Sequence, residues 1–371
     1  DNTETTVRLT QINQRTREAP SNFTNVNGTL YFTADDDNFG RELWRIKSNG
    51  ESESIRSTDV YNRLSNHENL TAVDGTLYFT AETKDEGREL WRINNDGIPE
   101  LVYDINYGSY SSSPENLTVF DGTLYFSATD YDGAKRLAKI DSTGNIEPVE
   151  LVNFSSNNSG LNPHNLIIVN DTLYFTATNE ENADRLWKIN ERGDAEEVPD
   201  LNYSYRNDYP AFNPDNLTFV NSTLYFSAED RQYGKGLWKI NENAYSERLN
   251  NFNPSDNSAN PSEFTVFNNT LFFIAADYRG REIWTIDSNG EPQLVTDSSD
   301  GLNPSNLTVV KDTLYFTASN ENLGTELWKI DDRGNARIVK DINPGNASSN
   351  PSNLTVAGDT LYFTATHSNS I

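Results

Sequence analysis

The chain has 371 residues, 56 of them acidic and 29 basic, and its net charge at pH 7 is −27. This charge disfavours a nucleic-acid partner, because the phosphate backbone would repel it. The chain has no cysteine, which excludes disulfides, thiolate zinc sites and cysteine nucleophiles. The longest aliphatic run, residues 166–169, is far shorter than the roughly 20 residues of a membrane span.

One hexapeptide, Thr-Leu-Tyr-Phe-Thr-Ala at residues 29–34, recurs with small changes along the whole chain. Recurrence at a fixed period is typical of a supersecondary unit that buries its surfaces against its neighbours. The spacing of its leucine varies between 43 and 51 residues, and the leucines are Leu30, Leu77, Leu124, Leu173, Leu224, Leu271, Leu314 and Leu361.

Each unit contains four predicted strands, and the second unit shows them in order. Residues 69–73 form the first, and Asp74-Gly75 is a dipeptide that favours a two-residue hairpin turn. Residues 76–81, rich in β-branched and aromatic side chains, form the second strand. Residues 88–93 and 101–105 form the third and fourth, and a linker rich in Ser, Asn and Pro leads to the next unit.

Eight such units predict an all-β protein, a β-propeller of about eight four-stranded blades, with seven blades as the alternative. We expect residues 1–371 to form a single propeller domain. Residues 7–12 read as a fourth strand without the first three, whereas residues 353–356 and 360–366 read as a first and a second strand. The last blade is therefore predicted to be closed by both termini, which would also remove exposed sheet edges.

The repeat resembles a known family. Residues 28–44 and 75–91 combine Gly-Thr-Leu-Tyr-Phe-Thr-Ala with Gly-Arg-Glu-Leu-Trp, which resembles the ELWxxDGT repeat of secreted and surface proteins of bacteria. The linkers at 104–106 and 341–345 are similar to that family's linker. The sequence departs from the pattern at residues 92–97, which replace Asp-Gly-Thr, and at Ala138, which replaces the tryptophan. The resemblance implies an exported, propeller-like module and no particular reaction.

The six tryptophans occupy one position of the repeat. Equivalent aromatic rings could stack on sugars in a lectin, but a residue flanked by Leu and Ile in a central strand normally packs in the core. We therefore predict that these side chains pack between adjacent blades: Trp44, Trp91, Trp187, Trp238, Trp284 and Trp328.

Two acidic segments are candidate metal sites, because hard cations prefer several oxygen ligands on a flexible loop. Both are predicted to lie between the second and third strands, and Ca²⁺ is the cation they would suit. The alternative is a solvated acidic hairpin without a metal, and we expect no other cofactor. The candidate ligands are Asp35, Asp36 and Asp37 in the first unit and Asp130 and Asp132 in the third.

Asn-x-Ser/Thr sequences, the acceptors of N-linked glycans, are frequent. Many are Asn-Leu-Thr at the start of a predicted first strand, where the asparagine could instead cap the turn that enters the strand. Loop asparagines are physically the more accessible. The candidates are Asn69, Asn116, Asn157, Asn202, Asn216, Asn306, Asn346 and Asn353, and further sequons begin at residues 27, 153, 170, 221 and 268.

No catalytic motif is recognisable, and His67, His164 and His367 are expected in linkers or at the terminus. The sequence therefore predicts a protein that is not an enzyme but an extracellular or cell-surface module with an adhesive or matrix role. Its partner would be a protein or a polysaccharide at the cell surface. The alternatives are a lectin-like propeller that binds polysaccharide, and a self-associating subunit of a homopolymeric filament.

Overall fold

The structure is a computed structural model that describes residues 20–36, 40–47, 49–56, 61–141, 144–152, 161–179, 183–199, 211–230, 233–249, 259–277, 280–296, 302–331 and 334–367. These residues form 30 β-strands and no helix, so the all-β prediction is confirmed. A helix that could cross a membrane is accordingly not found in the described part of the chain.

Seven sheets of four antiparallel strands and one sheet of two strands follow one another along the chain, and neighbours in sequence are neighbours in each four-stranded sheet. The first four sheets are formed by β1 (Ser21–Val26), β2 (Thr29–Asp36), β3 (Gly40–Ile46), β4 (Ser52–Ile55); β5 (Ser65–Val73), β6 (Thr76–Thr83), β7 (Gly87–Ile93), β8 (Pro99–Tyr103); β9 (Glu115–Phe120), β10 (Thr123–Thr129), β11 (Lys135–Ile140), β12 (Ile146–Pro148); and β13 (His164–Val169), β14 (Thr172–Thr178), β15 (Asp184–Ile189), β16 (Ala195–Glu197). The other four are formed by β17 (Phe212–Val220), β18 (Thr223–Asp230), β19 (Gly234–Ile240), β20 (Ser246–Leu249); β21 (Ser262–Phe267), β22 (Thr270–Asp277), β23 (Gly280–Ile286), β24 (Pro292–Leu294); β25 (Ser305–Val310), β26 (Thr313–Asn320), β27 (Gly324–Ile330), β28 (Ala336–Lys340); and β29 (Ser352–Ala357), β30 (Thr360–Thr364).

The chain divides into two compact units. Unit 1 comprises residues 1–182 and 187–196, and unit 2 comprises residues 183–186 and 197–371. Strands β29 and β30 are the predicted first and second strands of the last sheet, whereas the predicted fourth strand at residues 7–12 lies outside the described residues. Closure of the last sheet by both termini, and a single domain over the whole chain, stay predictions.

The core of each unit lies between successive sheets. In unit 1, Leu43 and Ile55 of the first sheet pack with Phe79 and Trp91 of the second. In unit 2, the sheet β17–β20 packs in the same way against Phe273 and Trp284 of the sheet β21–β24. The second strand carries apolar residues on both of its faces. A sheet can therefore pack against the preceding sheet on one face and against the following sheet on the other.

All six tryptophans are buried, with at most 8% of any of them exposed. Besides their apolar contacts, three donate an indole hydrogen bond of 3.1 Å to an alanine carbonyl at the same place in the second strand: Trp44 to Ala34, Trp187 to Ala177 and Trp238 to Ala228. In these three sheets the polar atom of the tryptophan is satisfied within its own sheet, whereas the buried Nε1 atoms of Trp91 and Trp328 have no hydrogen-bond partner among the described residues.

A long basic side chain follows the tryptophan, or Ala138 in the third sheet, and extends to the next sheet. It lies over a glycine with positive φ in the turn between that sheet's third and fourth strands. The pairs are Arg45 with Gly97, Arg92 with Gly144, Lys139 with Gly193 and Lys239 with Gly290. The sheet β21–β24 lacks this contact, because Thr285 stands at the basic position; a Cβ on the matching Gly334 would meet nothing within 4 Å.

Candidate functional site

Each four-stranded sheet has two chemically different ends. Because consecutive strands are antiparallel, the loop between the second and third strands and the linker to the next sheet lie at one end, here called the linker end. The short turns between the first and second and between the third and fourth strands lie at the other, the turn end. Long linkers make the linker end the place where sequence varies most between units.

Four exposed tyrosines lie at the linker end of the second and third sheets, within unit 1. Tyr103 is 51% exposed, Tyr107 is 60%, Tyr110 is 72% and Tyr131 is 74%. These four residues are called the tyrosine surface. Large aromatic side chains left this open in a protein of such polar composition are typical of a binding surface.

The linker that carries Tyr107 and Tyr110 is fixed between two sheets. The Ser112 carbonyl accepts a hydrogen bond of 2.8 Å from Thr129 N at the end of β10, and Ser113 N donates to the Arg88 carbonyl of β7 at 3.0 Å. A Cβ on Gly87 would lie 2.5 Å from the Tyr110 carbonyl oxygen, so only glycine allows this approach. Tyr131 follows Thr129 by two residues, which brings the third sheet's tyrosine to the same end.

A buried carboxylate anchors both ends of this linker. Glu89 accepts hydrogen bonds from Ser112 N at 2.8 Å, from Ser112 Oγ at 2.5 Å and from Ile105 N at 3.3 Å. Burial raises the pKa of Glu89 to about 7, partly offset by these donors. The segment from 105 to 112 is thus tied to the third strand of the second sheet.

Side chains of the linker itself complete the frame. Asp104 Oδ2 accepts from Gly108 N at 2.9 Å, and Asn106 Nδ2 donates to the Ser111 carbonyl at 3.1 Å. The hydroxyls of Tyr103 and Tyr107 are 2.9 Å apart, and their rings meet edge to face with centroids 6.4 Å apart. This hydrogen bond raises the pKa of Tyr103. The tyrosines are therefore presented in a preformed arrangement.

The same frame occurs without tyrosines after the seventh sheet, in unit 2. There Glu326 accepts from Ser349 N at 3.0 Å, from Ser349 Oγ at 2.6 Å and from Ile342 N at 3.1 Å. Pro344 and Ala347 occupy the positions of Tyr107 and Tyr110. The tyrosines are thus not needed for the linker to adopt its structure.

The predicted metal ligands are placed differently from expectation. Asp35 and Asp36 lie at the end of β2 and not in a loop, because the strand is longer than predicted; Asp35 pairs with Arg41 at 3.5 Å. Asp37 lies outside the described residues. No group of three metal-binding side chains occurs among the residues that are described.

Asp130 and Asp132 do lie in the predicted loop, and both are paired with Arg136. The hydrogen bonds from Arg136 hold the pKa of Asp132 well below its usual range. These carboxylates therefore already have a cationic partner within the hairpin. Binding of Ca²⁺ by the two acidic segments stays a prediction.

The Asn-Leu-Thr asparagines lie inside the first strand and do not cap its entry, which corrects the alternative reading of these sequons. Each adopts a positive φ at a β-bulge, and its side-chain Nδ2 donates to a Thr or Ser hydroxyl of the second strand. The pairs are Asn69 with Thr80, Asn116 with Ser127, Asn216 with Ser227, Asn306 with Thr317 and Asn353 with Thr364, at 2.9–3.2 Å. Asn346 is exposed in a linker, and Asn157 and Asn202 lie outside the described residues.

Two of the three histidines are also placed differently from expectation. His67 lies within β5 and is completely buried, and His164 begins β13, so neither belongs to a linker. The apolar pattern does not indicate the position of His67, because β5 extends four residues further toward the N-terminus than the predicted strand at residues 69–73. His367, beyond β30, has its Nδ1 2.7 Å from the Ile342 carbonyl oxygen.

Solved structures that are similar to this chain share 10–12% of its sequence over most of its length. The propeller domain of the trilobed protease from Pyrococcus furiosus is 10% identical and matches 86% of this chain and 95% of its own, with a TM-score of 0.36. The BP39L lectin from Burkholderia pseudomallei is 12% identical over 86% of this chain and 96% of its own, at a TM-score of 0.37. Dipeptidyl peptidase 4 from Porphyromonas gingivalis is 10% identical over 89% of this chain and 54% of its own, at a TM-score of 0.52. With its succession of four-stranded sheets, the chain has a β-propeller fold.

No protein-family model matches the chain, and no curated protein matches it in sequence. The prediction that the protein is not an enzyme is wrong, because enzymes occur among the proteins of similar structure. Several similar structures are peptidases, including a puromycin hydrolase, dipeptidyl peptidase 4 and prolyl endopeptidases, at 10–13% identity. The chain spans 60%, 54% and 49% of these enzymes, so what it shares with them is the fold.

The repeat pattern does not predict the tyrosine surface. The repeat draws attention to the tyrosine of Leu-Tyr-Phe, which is buried in the first five sheets, and away from tyrosines that do not recur. A signal was present: Tyr107, Tyr110 and Tyr131 lie outside the repeated strands, in segments otherwise made of Ser, Asn, Asp and Gly.

Proposed function

We propose that this protein is an extracellular β-propeller module that binds a neutral polysaccharide at the tyrosine surface. The observation that carries the proposal is the exposure of Tyr103, Tyr107, Tyr110 and Tyr131 at one end of adjacent sheets, with Tyr107 and Tyr110 on a linker held by buried hydrogen bonds. An adhesive role at the cell surface follows if the bound polysaccharide belongs to a cell envelope or matrix.

The chemistry of tyrosine suits this ligand. A ring face packs on the C–H groups of a sugar ring, while the hydroxyl exchanges hydrogen bonds with sugar hydroxyls. Tyrosine also supplies a large contact area at little cost in conformational entropy, because it has only two side-chain torsions. A fixed linker lowers that entropy cost further, since less motion is lost on binding.

The comparison between the two linkers supports a role in binding rather than in folding. Both linkers have the same buried glutamate, the same serine and the same aspartate contact to a glycine N–H, 2.9 Å in one and 3.1 Å in the other. Of these two linkers, the one after the second sheet has tyrosines at positions 107 and 110, whereas the one after the seventh sheet has Pro344 and Ala347 there. Aromatic side chains that are exposed and dispensable for the frame are best explained by a partner.

The charge of the chain selects among polysaccharides. A net charge of −27 repels anionic polymers at low and moderate ionic strength. A neutral polysaccharide is therefore the favoured ligand.

Affinity electrophoresis in native gels tests the proposal, with a soluble α-glucan, a β-glucan or a galactomannan cast into the gel. We expect at least one of these polymers to retard the native chain. The double variant Tyr107→Pro, Tyr110→Ala gives this linker the residues of the other, so its folding should be preserved. Its affinity should fall at least about tenfold, because removal of one central aromatic usually costs more than 1 kcal/mol.

Tyr362→Ala is the matched control, because Tyr362 is 59% exposed but lies on β30 in unit 2. This variant should be retarded as strongly as the native chain. Equal retardation of the double variant and the native chain would refute the assignment of the surface. Absence of retardation by all neutral polymers, together with retardation by an anionic one, would refute the ligand class.

A further inference from the structure

Apart from Asn346, the sequons among the described residues fall into two structural classes. In the first, the asparagine is in a first strand, and its Nδ2 is already used as a hydrogen-bond donor to the second strand, as Asn306 Nδ2 is to Thr317 Oγ1 at 2.9 Å. These asparagines have φ between 54° and 59° and interrupt the register at a β-bulge. Attaching a sugar to that nitrogen would require the bulge to open.

In the second class, the asparagine is the first residue of the two-residue turn at the turn end of a sheet. Four sheets have such a sequon, each with an exposed asparagine at φ of 45–49° followed by a residue that also has positive φ: Asn27, Asn170, Asn221 and Asn268. This geometry is that of a type I′ turn, which projects the first side chain away from the sheet.

The side-chain amide of Asn268 differs from those of Asn221 and Asn27 in the same class. Among the described residues no group hydrogen-bonds to its side-chain amide, whereas Asn221 Nδ2 donates to the Asn269 carbonyl at 2.7 Å. The Asn27 amide is also less free, since it lies against Gly75 of the next sheet. The hydroxyl of Thr270, the third residue of the sequon, donates to the Asn268 carbonyl at 3.3 Å.

An aromatic residue stands beside this asparagine. Phe267 immediately precedes Asn268 and is paired across the turn with Thr270. Its ring is only partly buried and meets Phe272 at a centroid distance of 5.8 Å. A sugar on Asn268 could pack its C–H groups on this ring, which would stabilise the modified turn.

We propose that Asn268 is a site of N-linked glycosylation. The co-substrate is a sugar carried on a polyprenyl phosphate or pyrophosphate. A bond forms between Asn268 Nδ2 and the anomeric carbon, and the bond between that carbon and the donor's phosphate oxygen breaks. The phosphate leaves with the electron pair, and one Nδ2 proton passes to a base of the transferase.

The same reasoning removes Asn346 from the acceptors, although it is exposed. The hydroxyl of Ser348, the third residue of that sequon, accepts a hydrogen bond of 2.9 Å from Thr325 N. A Cβ on Gly324 would lie 2.7 Å from the Ala347 carbonyl carbon, so the middle of the sequon is packed against β27. A transferase would have to pull this segment out to bind it.

Glycopeptide mapping of protein purified from its native host, with electron-transfer fragmentation, tests the assignment. Asn268 should carry a glycan, and Asn69, Asn116, Asn216, Asn306 and Asn353 should not. An unmodified Asn268, or equal occupancy of the strand asparagines, would overturn the proposal. In the variant Asn268→Gln expressed in the same host, the intact mass should fall by one glycan.

A gain-of-glycan variant provides a test that misfolding cannot imitate. The turn at Phe120, Asp121 and Gly122 has the same preceding aromatic residue and the same φ of 47° at its first position, with Thr123 paired to Phe120. Asp121→Asn creates a sequon there and should add one glycan at 121. Expression without added mass at 121, in a host that modifies Asn268, would show that turn geometry does not select the acceptor. The result is independent of the tyrosine surface, which lies at the opposite end of its sheets.

Discussion

The buried histidine of the second sheet makes a specific prediction about pH. His67 is completely buried; its Nδ1 donates to the Arg41 carbonyl oxygen at 3.4 Å, and its Nε2 has no partner among the described residues. Its ring lies 5.7 Å from that of Phe79. Burial, and to a smaller extent the charge of Arg88, lower the pKa of His67 from 6.5 to about 4.

The direction of the effect follows from which state binds the proton first. As the pH falls below 6.5 the unfolded chain binds a proton at residue 67, while the folded chain resists it until about pH 4. The contribution of the neutral His67 to the free energy of unfolding is therefore fully present above pH 6.5, and it is lost as the pH falls from 6.5 to 4. Between pH 7.5 and pH 4.5 the loss from this residue is about 2–3 kcal/mol.

A variant that removes only this titration is available from the other repeats. Every other unit has proline where the second has His67, and the residue before it has a positive φ both here, at Asn66, and at equivalent positions such as Asn303. His67→Pro therefore fits the existing backbone. Glu68 and Arg88, which form an ion pair of 2.6 Å beside the histidine, are unchanged.

Urea unfolding followed by tryptophan fluorescence at pH 7.5 and 4.5 measures the effect. The native chain should lose about 2–3 kcal/mol more than His67→Pro between these pH values. Carboxylates that titrate in this range contribute equally to both proteins and cancel in the difference. If both proteins lose the same stability, His67 is either accessible to protons in the folded state or not buried as described.

Three further changes test the packing and the frame by the same urea assay. Trp91→Ala should cost about 3–5 kcal/mol, as large-to-small core changes do; a cost below 1 kcal/mol would contradict its burial. Asn116→Ala should cost about 2 kcal/mol, because it loses the bond to Ser127 and places alanine at φ 58°, whereas Asn116→Gly should cost about half of that. Glu89→Gln should cost about 1–3 kcal/mol, since an amide cannot accept all three donors of the linker, and an unchanged midpoint would refute the anchoring role.

Much of the fold could be predicted because its signals are local and repeated. Asp74-Gly75 and Asp121-Gly122 favour two-residue turns, and both form them with positive φ at each residue. The alternation around Leu77 and Phe79 identified the strand and the face that packs on the first sheet. Eightfold repetition turned each of these weak indications into a consistent one.

Features that depend on non-local contacts could not be predicted in the same way. The Asn-Leu-Thr bulge requires a hydroxyl 11 residues later, as in the contact between Asn116 and Ser127, and the motif alone fits a turn cap equally well. The tyrosine surface depends on Glu89, whose partner Ser112 is 23 residues away. An acidic residue between Arg and Leu gives no indication in sequence that it anchors a linker.

The basic side chains that lie over glycines of the next sheet bear on how such a chain could gain or lose repeats. Arg92 belongs to one sheet, but the space it fills belongs to the turn at Gly144 in the next. Where the basic residue is absent, at Thr285, the turn at Gly334 is correspondingly open. A duplication or deletion that begins and ends at sheet boundaries would separate these partners. A duplication or deletion that runs from the third strand of one sheet to the corresponding turn of the next would keep them together. The sequence unit that preserves this contact is therefore offset from the four-stranded sheet.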